Sequence, residues 1–259
     1  MTTPAMPAAT AATAAAPVLA FDGVTLHAGS RTLLHGLSLH VPARGLLGIV
    51  GPNGAGKTSL LRAALGLAVP QAGQVRIEGR APRDWPPQAL ARRIGYVAQH
   101  GESHWDLRVA DMLHLHPGAR PAPWIERFAL GPLLPRRFAS LSGGERARVA
   151  VARALAHGPA LLLADEPAAH LDIPQHHRLM ALLRATARER AVVVVLHDLH
   201  VAARHCDRLA LLGGGRLLAH GTPAEVLTPA RLAAAYGAPI AQHAAAGQRF
   251  FTAPAEDAT

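Results

Sequence analysis

The strongest constraint on the fold of this chain is local. A glycine-bounded apolar run, Gly45-Leu46-Leu47-Gly48-Ile49-Val50, leads straight into Gly51-Pro52-Asn53-Gly54-Ala55-Gly56-Lys57-Thr58, and that into Ser59-Leu60-Leu61-Arg62-Ala63-Ala64-Leu65. The first run reads as a buried strand and the last as a helix ended by Gly66. Between them Gly51, Gly54 and Gly56 allow the backbone to curl so that its N–H groups face one concavity. The helix start adds its positive dipole end to that anion site. Lys57 is spaced to reach the β- and γ-phosphates of a nucleotide, and the Thr58 hydroxyl, next to Ser59, to sit on Mg²⁺. A glycine-rich turn with a solvated lysine is the bland alternative. Strand, motif and helix in this order favour phosphate binding.

The acidic counterpart lies downstream. Ala160-Leu161-Leu162-Leu163-Ala164 is a second buried strand, delivering Asp165 and Glu166 at its carboxyl end, where open parallel sheets bind ligands. Asp165 suits Mg²⁺, directly or through water, and Glu166 suits polarisation of an attacking water. Alone, two carboxylates after an apolar run are commonplace; the upstream loop gives them meaning. In Leu141-Ser142-Gly143-Gly144-Glu145 the Ser142/Glu145 spacing is that of a capping box, and a helix follows. The bland reading is a well-capped helix; the sharper one is that the glycines bare the helix-start amides to a second phosphate. Two more apolar runs end in polar residues, residues 94–98 at Gln99 and residues 192–196 at His197. Neither residue is informative in isolation.

The ordered set, with Leu171-Asp172 between the acidic pair and His197, resembles the ATP-binding-cassette (ABC) ATPases over residues 18 to 239. The resemblance implies an α/β fold: a P-loop core with an antiparallel β edge subdomain and a small helical insertion near residues 100–140. It implies ATP and Mg²⁺ as cofactors, with Thr58, Gln99 and Asp165 around the metal. Gln99 would also touch the water and sense a membrane partner, and His197 would contact the γ-phosphate. Asp172 matches the aspartate of the loop joining two sites, and equally suits a helix N-cap. In that family Ser142, Gly143 and Gly144 of one subunit complete the phosphate site of the other, so the implied unit is a head-to-tail homodimer. The sequence departs from the pattern where an aromatic ring usually stacks on adenine. Ala28 stands there with His27 beside it, so stacking is weak or His27 substitutes. Ala98 and Ala168 also depart, and none of these touches the phosphate chemistry.

The C-terminal part narrows the resemblance. Gly221-Thr222-Pro223-Ala224-Glu225-Val226-Leu227-Thr228-Pro229, then Leu232-Ala233-Ala234-Ala235-Tyr236-Gly237 and Gly247-Gln248-Arg249-Phe250-Phe251, are similar to ATPases of iron-siderophore, haem and cobalamin importers. Zinc and manganese importer ATPases share parts of this ending. The resemblance implies a subunit that hydrolyses ATP to energise a membrane importer. Its partners would be integral-membrane permease subunits and, through them, a substrate-binding protein, and its place the cytoplasmic face of the membrane. The alternative is a soluble ABC ATPase outside transport. Such proteins usually bring coiled-coil insertions or tandem cassettes, and neither is evident.

Composition agrees. The apolar fraction is 50%, but no run approaches the roughly 20 apolar residues that span a bilayer. The net charge of +9, from 26 basic against 17 acidic residues, is spread as dispersed arginine without a basic block, so no nucleic-acid partner is expected. Cys206, the single cysteine, fits a reducing compartment. Residues 1–17, rich in Ala, Thr and Pro, read as a disordered tail, and residues 240–259 as a C-terminal extension. Of the 16 histidines, His104, His114 and His116 cluster loosely, His176 and His177 are adjacent, and His200 and His205 flank the region of Cys206; no grouping has metal-ligand spacing with acidic or cysteine partners. Residues 18–21 and 32–41 read as edge strands, 74–79 as a strand, 109–115 and 124–130 as helices of the insertion, and 209–212 with 217–220 as a hairpin. Thr222 and Thr228, each followed by proline, read as helix N-caps, the second helix stopping at Gly237.

Overall fold

The computed structural model describes residues 16–99, 107–169, 171–245 and 248–253. The expected tail and His104 lie outside these residues, apart from Ala16 and Pro17. In chain order the elements are β1 (Leu19–Ala28), β2 (Arg31–Val41), β3 (Gly45–Val50), α1 (Lys57–Ala64), β4 (Ala72–Ile77), α2 (Pro87–Arg93) and β5 (Ile94–Val97). The insertion carries α3 (Val109–Leu113) and α4 (Ala122–Arg127), and α5 (Gly143–Leu155) returns the chain to β6 (Leu161–Asp165). There follow α6 (Ile173–Ala187), β7 (Ala191–Val195), α7 (Leu199–His205), β8 (Arg208–Gly213), β9 (Arg216–Gly221), α8 (Pro223–Val226), α9 (Pro229–Tyr236), β10 (Ala241–Ala245) and β11 (Gln248–Thr252).

The central sheet has the order β5-β6-β7-β3-β8-β9, parallel except for the antiparallel edge strand β9. Its inner strands β6, β7 and β3 are continuous apolar runs because both faces are covered. Leu46, Leu162, Val192 and Val194 face a core shared with α5, α6 and α9. Leu47, Leu163, Val193 and Val195 face a second core under α1 and the three-stranded antiparallel sheet β2-β1-β4. That separate small sheet is the antiparallel edge subdomain expected from the sequence. Among the described residues no helix is long and apolar enough to cross a membrane.

Local differences from the sequence reading have physical causes. Helix α1 begins two residues before the predicted Ser59, since Gly56 (φ 94°) lets the loop turn directly into it. Helix α3 stops at Leu113 and leaves Leu115 exposed. Helix α4 starts at Ala122 and ends at Arg127, two residues before Ala129, whose φ of 51° lies outside helical space. Thr222 makes the full capping box with Glu225, whereas Thr228 accepts no side-chain cap bond; Pro229 and left-handed Gly237 alone bound α9.

Two histidines are held neutral by packing. His157 follows α5 and stacks on His116 of the insertion at 4.3 Å between ring centroids. His205, 8% exposed at the end of α7, lies with Nε2 2.9 Å from His177 Nδ1. Burial first, then the neighbouring imidazole, pushes each down to about 4 from an ordinary 6.5. Their stabilising effect is therefore complete above pH 6.5 and is lost as pH falls from 6.5 through 4, because the unfolded chain takes up protons that the folded one refuses. We expect the urea midpoint to fall over that window, and His205→Gln to flatten the slope. An unchanged slope in the variant would show that His205 does not contribute.

Candidate nucleotide site

Parallel register sets the site. Ile49 and Asp165 both lie opposite Val195, so β3, β6 and β7 end at one level. From those ends emerge the Gly51–Thr58 loop, Glu166 and, after Leu196, His197. The loop is shaped by close approach. A Cβ on Gly51 (φ 145°) would stand 2.1 Å from the Leu212 carbonyl oxygen, and one on Gly56 would stand 2.8 Å from that of Leu33. Gly51 is also hydrogen-bonded to the Tyr236 hydroxyl, which brings the end of α9 to the loop. That contact had no signal in the sequence.

A cleft of about 480 Å³ runs along the loop, and Asn53, Lys57, Thr58, Gln99, Glu166 and His197 are among the residues that line it. Lys57 is 6% exposed, and its Nζ donates to the carbonyls of Gly51 (2.8 Å) and Pro52 (2.9 Å). Burial lowers its affinity for a proton, which Glu166 and Asp165 partly restore. Asp165 is 1% exposed, and burial holds its carboxyl above the usual carboxylate range against a hydrogen bond from Thr58. Its Oδ1 is buried with no hydrogen-bond partner. An orphaned carboxylate oxygen beside a hydroxyl fits a hard divalent cation such as Mg²⁺.

Glu166 is held from two sides. Gln99 Nε2 donates to Oε2 at 2.8 Å, and His197 Nε2 stands 2.5 Å from Oε1. With its amide nitrogen so engaged, Gln99 retains its carbonyl oxygen for a cation. The Glu166 backbone is left-handed (φ 49°), a conformation that costs a non-glycine residue roughly 1–3 kcal/mol and concentrates at functional sites.

The remaining predicted residues lie elsewhere. Ser142 caps α5: its Oγ accepts from Glu145 N (3.3 Å), while its own N–H donates to Glu145 Oε2 (2.8 Å). A Cβ on Gly144 would come within 2.8 Å of Gln175 Oε1. Asp172 caps α6 through Gln175 N at 2.8 Å, the second of the two roles its spacing suited. Gly143 borders a neighbouring cleft of about 600 Å³ that shares Gln99 and Glu166 with the first. His27 does not line the phosphate cleft; it pairs with Thr32 across the hairpin (3.1 Å).

Among the described residues no group of three or more His, Cys, Asp or Glu side chains is arranged to hold a metal ion. The fold nonetheless gathers His176, His177, His200 and His205, with His200 stacked on Phe250 at 4.8 Å. Two of these rings come from α6 and two from α7, so spacing along the chain carries no signal for the group.

Fold and cleft together define an ATP-hydrolysing cassette. The ABC transporter family matches residues 34–169, and the chain belongs to that family. It is 40% identical over 237 residues to the hemin import ATP-binding protein HmuV of Pseudomonas putida, covering 85% of this chain and 92% of that one. It is also 40% identical over 239 residues to HmuV of Streptomyces coelicolor, covering 85% and 84%. Among solved structures, cbiO1 of Clostridium perfringens, part of the ABC transporter complex cbiONQ, shares the fold with TM-score 0.75 and 22% identity over 83% of this chain and 92% of that one. A bacterial Atm1-family ABC exporter with ATP bound gives TM-score 0.73 and 29% identity over 86% of this chain and 41% of that one.

The glycine geometry yields a graded expectation. Gly51→Ala should abolish nucleotide binding and lower Tm, because its methyl meets a fixed backbone carbonyl. Gly54→Ala, with only Arg31 Nη2 within 3.6 Å, should cost roughly 1–2 kcal/mol from its φ of 75° alone. Thermal unfolding with and without ATP checks the order; equal losses would reject the steric account.

Proposed function

We propose that this chain is the ATP-hydrolysing subunit of a haem importer. The observation that carries the chemical part is the cleft itself, with Lys57, Asp165, Glu166 and His197 drawn to one strand-end level. The loop amides, Lys57 and the start of α1 bind the phosphates. Thr58, Gln99 and Asp165 would hold Mg²⁺, which when bound neutralises charge on the phosphate oxygens. Glu166 takes a proton from water as the water oxygen bonds to the γ-phosphorus and the bond to the β,γ-bridging oxygen breaks, releasing ADP and phosphate. His197 fixes the Glu166 carboxylate and contacts the γ-phosphate.

In this reading Ser142, Gly143 and Gly144 serve the site of a second copy, in a head-to-tail homodimer. Support comes from the placement of the capped α5 start outside the cleft of its own chain. Support for haem as cargo comes from the 40% identity to hemin import ATP-binding proteins over most of both chains. Permease subunits, with a substrate-binding protein beyond them, complete the assembly at the cytoplasmic face of the membrane.

Glu166→Gln should bind ATP and dimerise with it while hydrolysing about 10²–10⁴-fold more slowly, the usual worth of a general base. Near-normal turnover would remove Glu166 from that role. Ser142→Arg should bind ATP as a monomer yet fail to hydrolyse it, and mixing it with Lys57→Ala should restore partial activity. Normal hydrolysis by a folded Ser142→Arg protein would rule out the composite site. Affinity purification from membranes should bring down a polytopic permease, and reconstituted vesicles should accumulate haem when ATP is supplied to this subunit. Recovery with ribosomes or DNA instead would reject the transport assignment.

A further inference from the structure

Besides Lys57, another cation lines the phosphate cleft. Arg31 opens β2 after a two-residue turn in which Gly29 has φ 58°, so that Ala28 and Arg31 face each other across the hairpin. Side chains two apart on a strand share a face, and Arg31 and Leu33 both line the cleft. His27 is paired with Thr32, one position off that face, with its Nδ1 engaged by the Thr32 hydroxyl. This register excludes the substitute for a stacking ring suggested by sequence position.

The hairpin is seated tightly on the loop. The Leu33 carbonyl stands 2.8 Å from a Cβ position on Gly56, and Arg31 Nη2 stands 3.6 Å from that on Gly54. Arg31 is exposed and has no hydrogen-bond or ion-pair partner among the described residues. No Phe, Tyr or Trp is among the described residues that line this cleft. The phosphates already have Lys57, the loop amides and the α1 start. What the cleft otherwise lacks is a flat group for the base, and a guanidinium is planar, weakly hydrated and attracted to the face of a π system.

We infer that the Arg31 guanidinium, flanked by Leu33, is the platform on which the adenine ring of ATP stacks, in place of an aromatic side chain. The inference rests on the ATP-binding reading of the cleft. Stacking addresses the face of the base rather than its edge, so a guanine nucleotide uses the same platform.

The test is equilibrium binding of three probes, a non-hydrolysable ATP analogue, its GTP counterpart and tripolyphosphate, to the full chain and its variants. Arg31→Ala should weaken both nucleotides roughly 2- to 30-fold, the range of a cation–π contact, and leave tripolyphosphate affinity and Tm unchanged. Arg31→Tyr should regain affinity for both nucleotides, while Arg31→Lys, which keeps the charge without the plane, should not. Parallel loss of tripolyphosphate affinity would make Arg31 a phosphate ligand, and full recovery by lysine a bare charge; either overturns the proposal. So would no recovery by tyrosine, or nucleotide affinity indifferent to Arg31. Lys57→Ala separates the two levels. Nucleotide binding lost there but unaffected at Arg31 removes this inference alone, whereas a wild-type chain that binds no ATP removes the functional reading with it.

Discussion

The site depends on the register of three parallel strands more than on any single contact. β6, β7 and β3 are buried on both faces, and each Val, Leu or Ile side chain so placed contributes roughly 1.5–3 kcal/mol. In such strands a slip of one residue would exchange the side chains of the two cores, so the level at which the chain leaves the sheet is strongly specified. Lys57, Asp165, Glu166 and His197 inherit that precision without needing to contribute stability. Lys57 and Asp165 are in fact buried charged groups in an otherwise apolar layer, and burial works against the charge on both. A ligand that supplies counter-charge relieves that cost, which ties nucleotide binding to stability through linkage.

How much of this was legible in the sequence follows from how local each cause is. The phosphate loop, the strand before it and the helix after it are contiguous, and glycine spacing announces them. Asp165, Glu166, Gln99 and His197 were legible because each ends an apolar run, and a parallel sheet brings such ends together. The capping boxes at Ser142 and Thr222 span four residues and need no tertiary information. The left-handed backbone of Glu166 had no signal, since Pro167 after it constrains but does not select that conformation. The contact between Tyr236 and Gly51 joins elements far apart in sequence, and the gathering of four histidines depends on how α6 packs on α7. Arg31 was hidden for a subtler reason: one position along a strand decides which face a side chain occupies, and sequence position pointed to His27 instead.

The capped start of α5 packs against Leu171 and Gln175, which follow Glu166 in the chain. Glu166 leads through residues 167–171 to Asp172, which caps α6 at Gln175, and the Gln175 side chain leaves no room for a Cβ on Gly144. Leu171 likewise lies 3.3 Å from the Cβ position of Gly143. The two glycines therefore rest on the same segment that follows Glu166. The Ser142–Glu145 box is closed within the chain, with Arg136 adding an ion pair to Glu145 at 3.1 Å, so this helix start is ordered before any nucleotide arrives.

That arrangement bears on how one subunit could report its state to another. Glu166 and Gln99 border both clefts, the one along the phosphate loop and the one beside Gly143. A displacement of Glu166 on engaging water, or of Gln99 on engaging a cation, thus changes a wall shared with the surface proposed to face the second copy. The glycines at 143 and 144 let the Leu171 and Gln175 side chains come up close to the α5 backbone. In the proposed head-to-tail dimer, the segment from Glu166 to Gln175 links the hydrolytic group of one site to the phosphate-facing helix start of the other. Leu171 and Gln175, which follow Glu166 in the chain, would then lie between the two proposed half-sites, packed against the glycines at the start of α5.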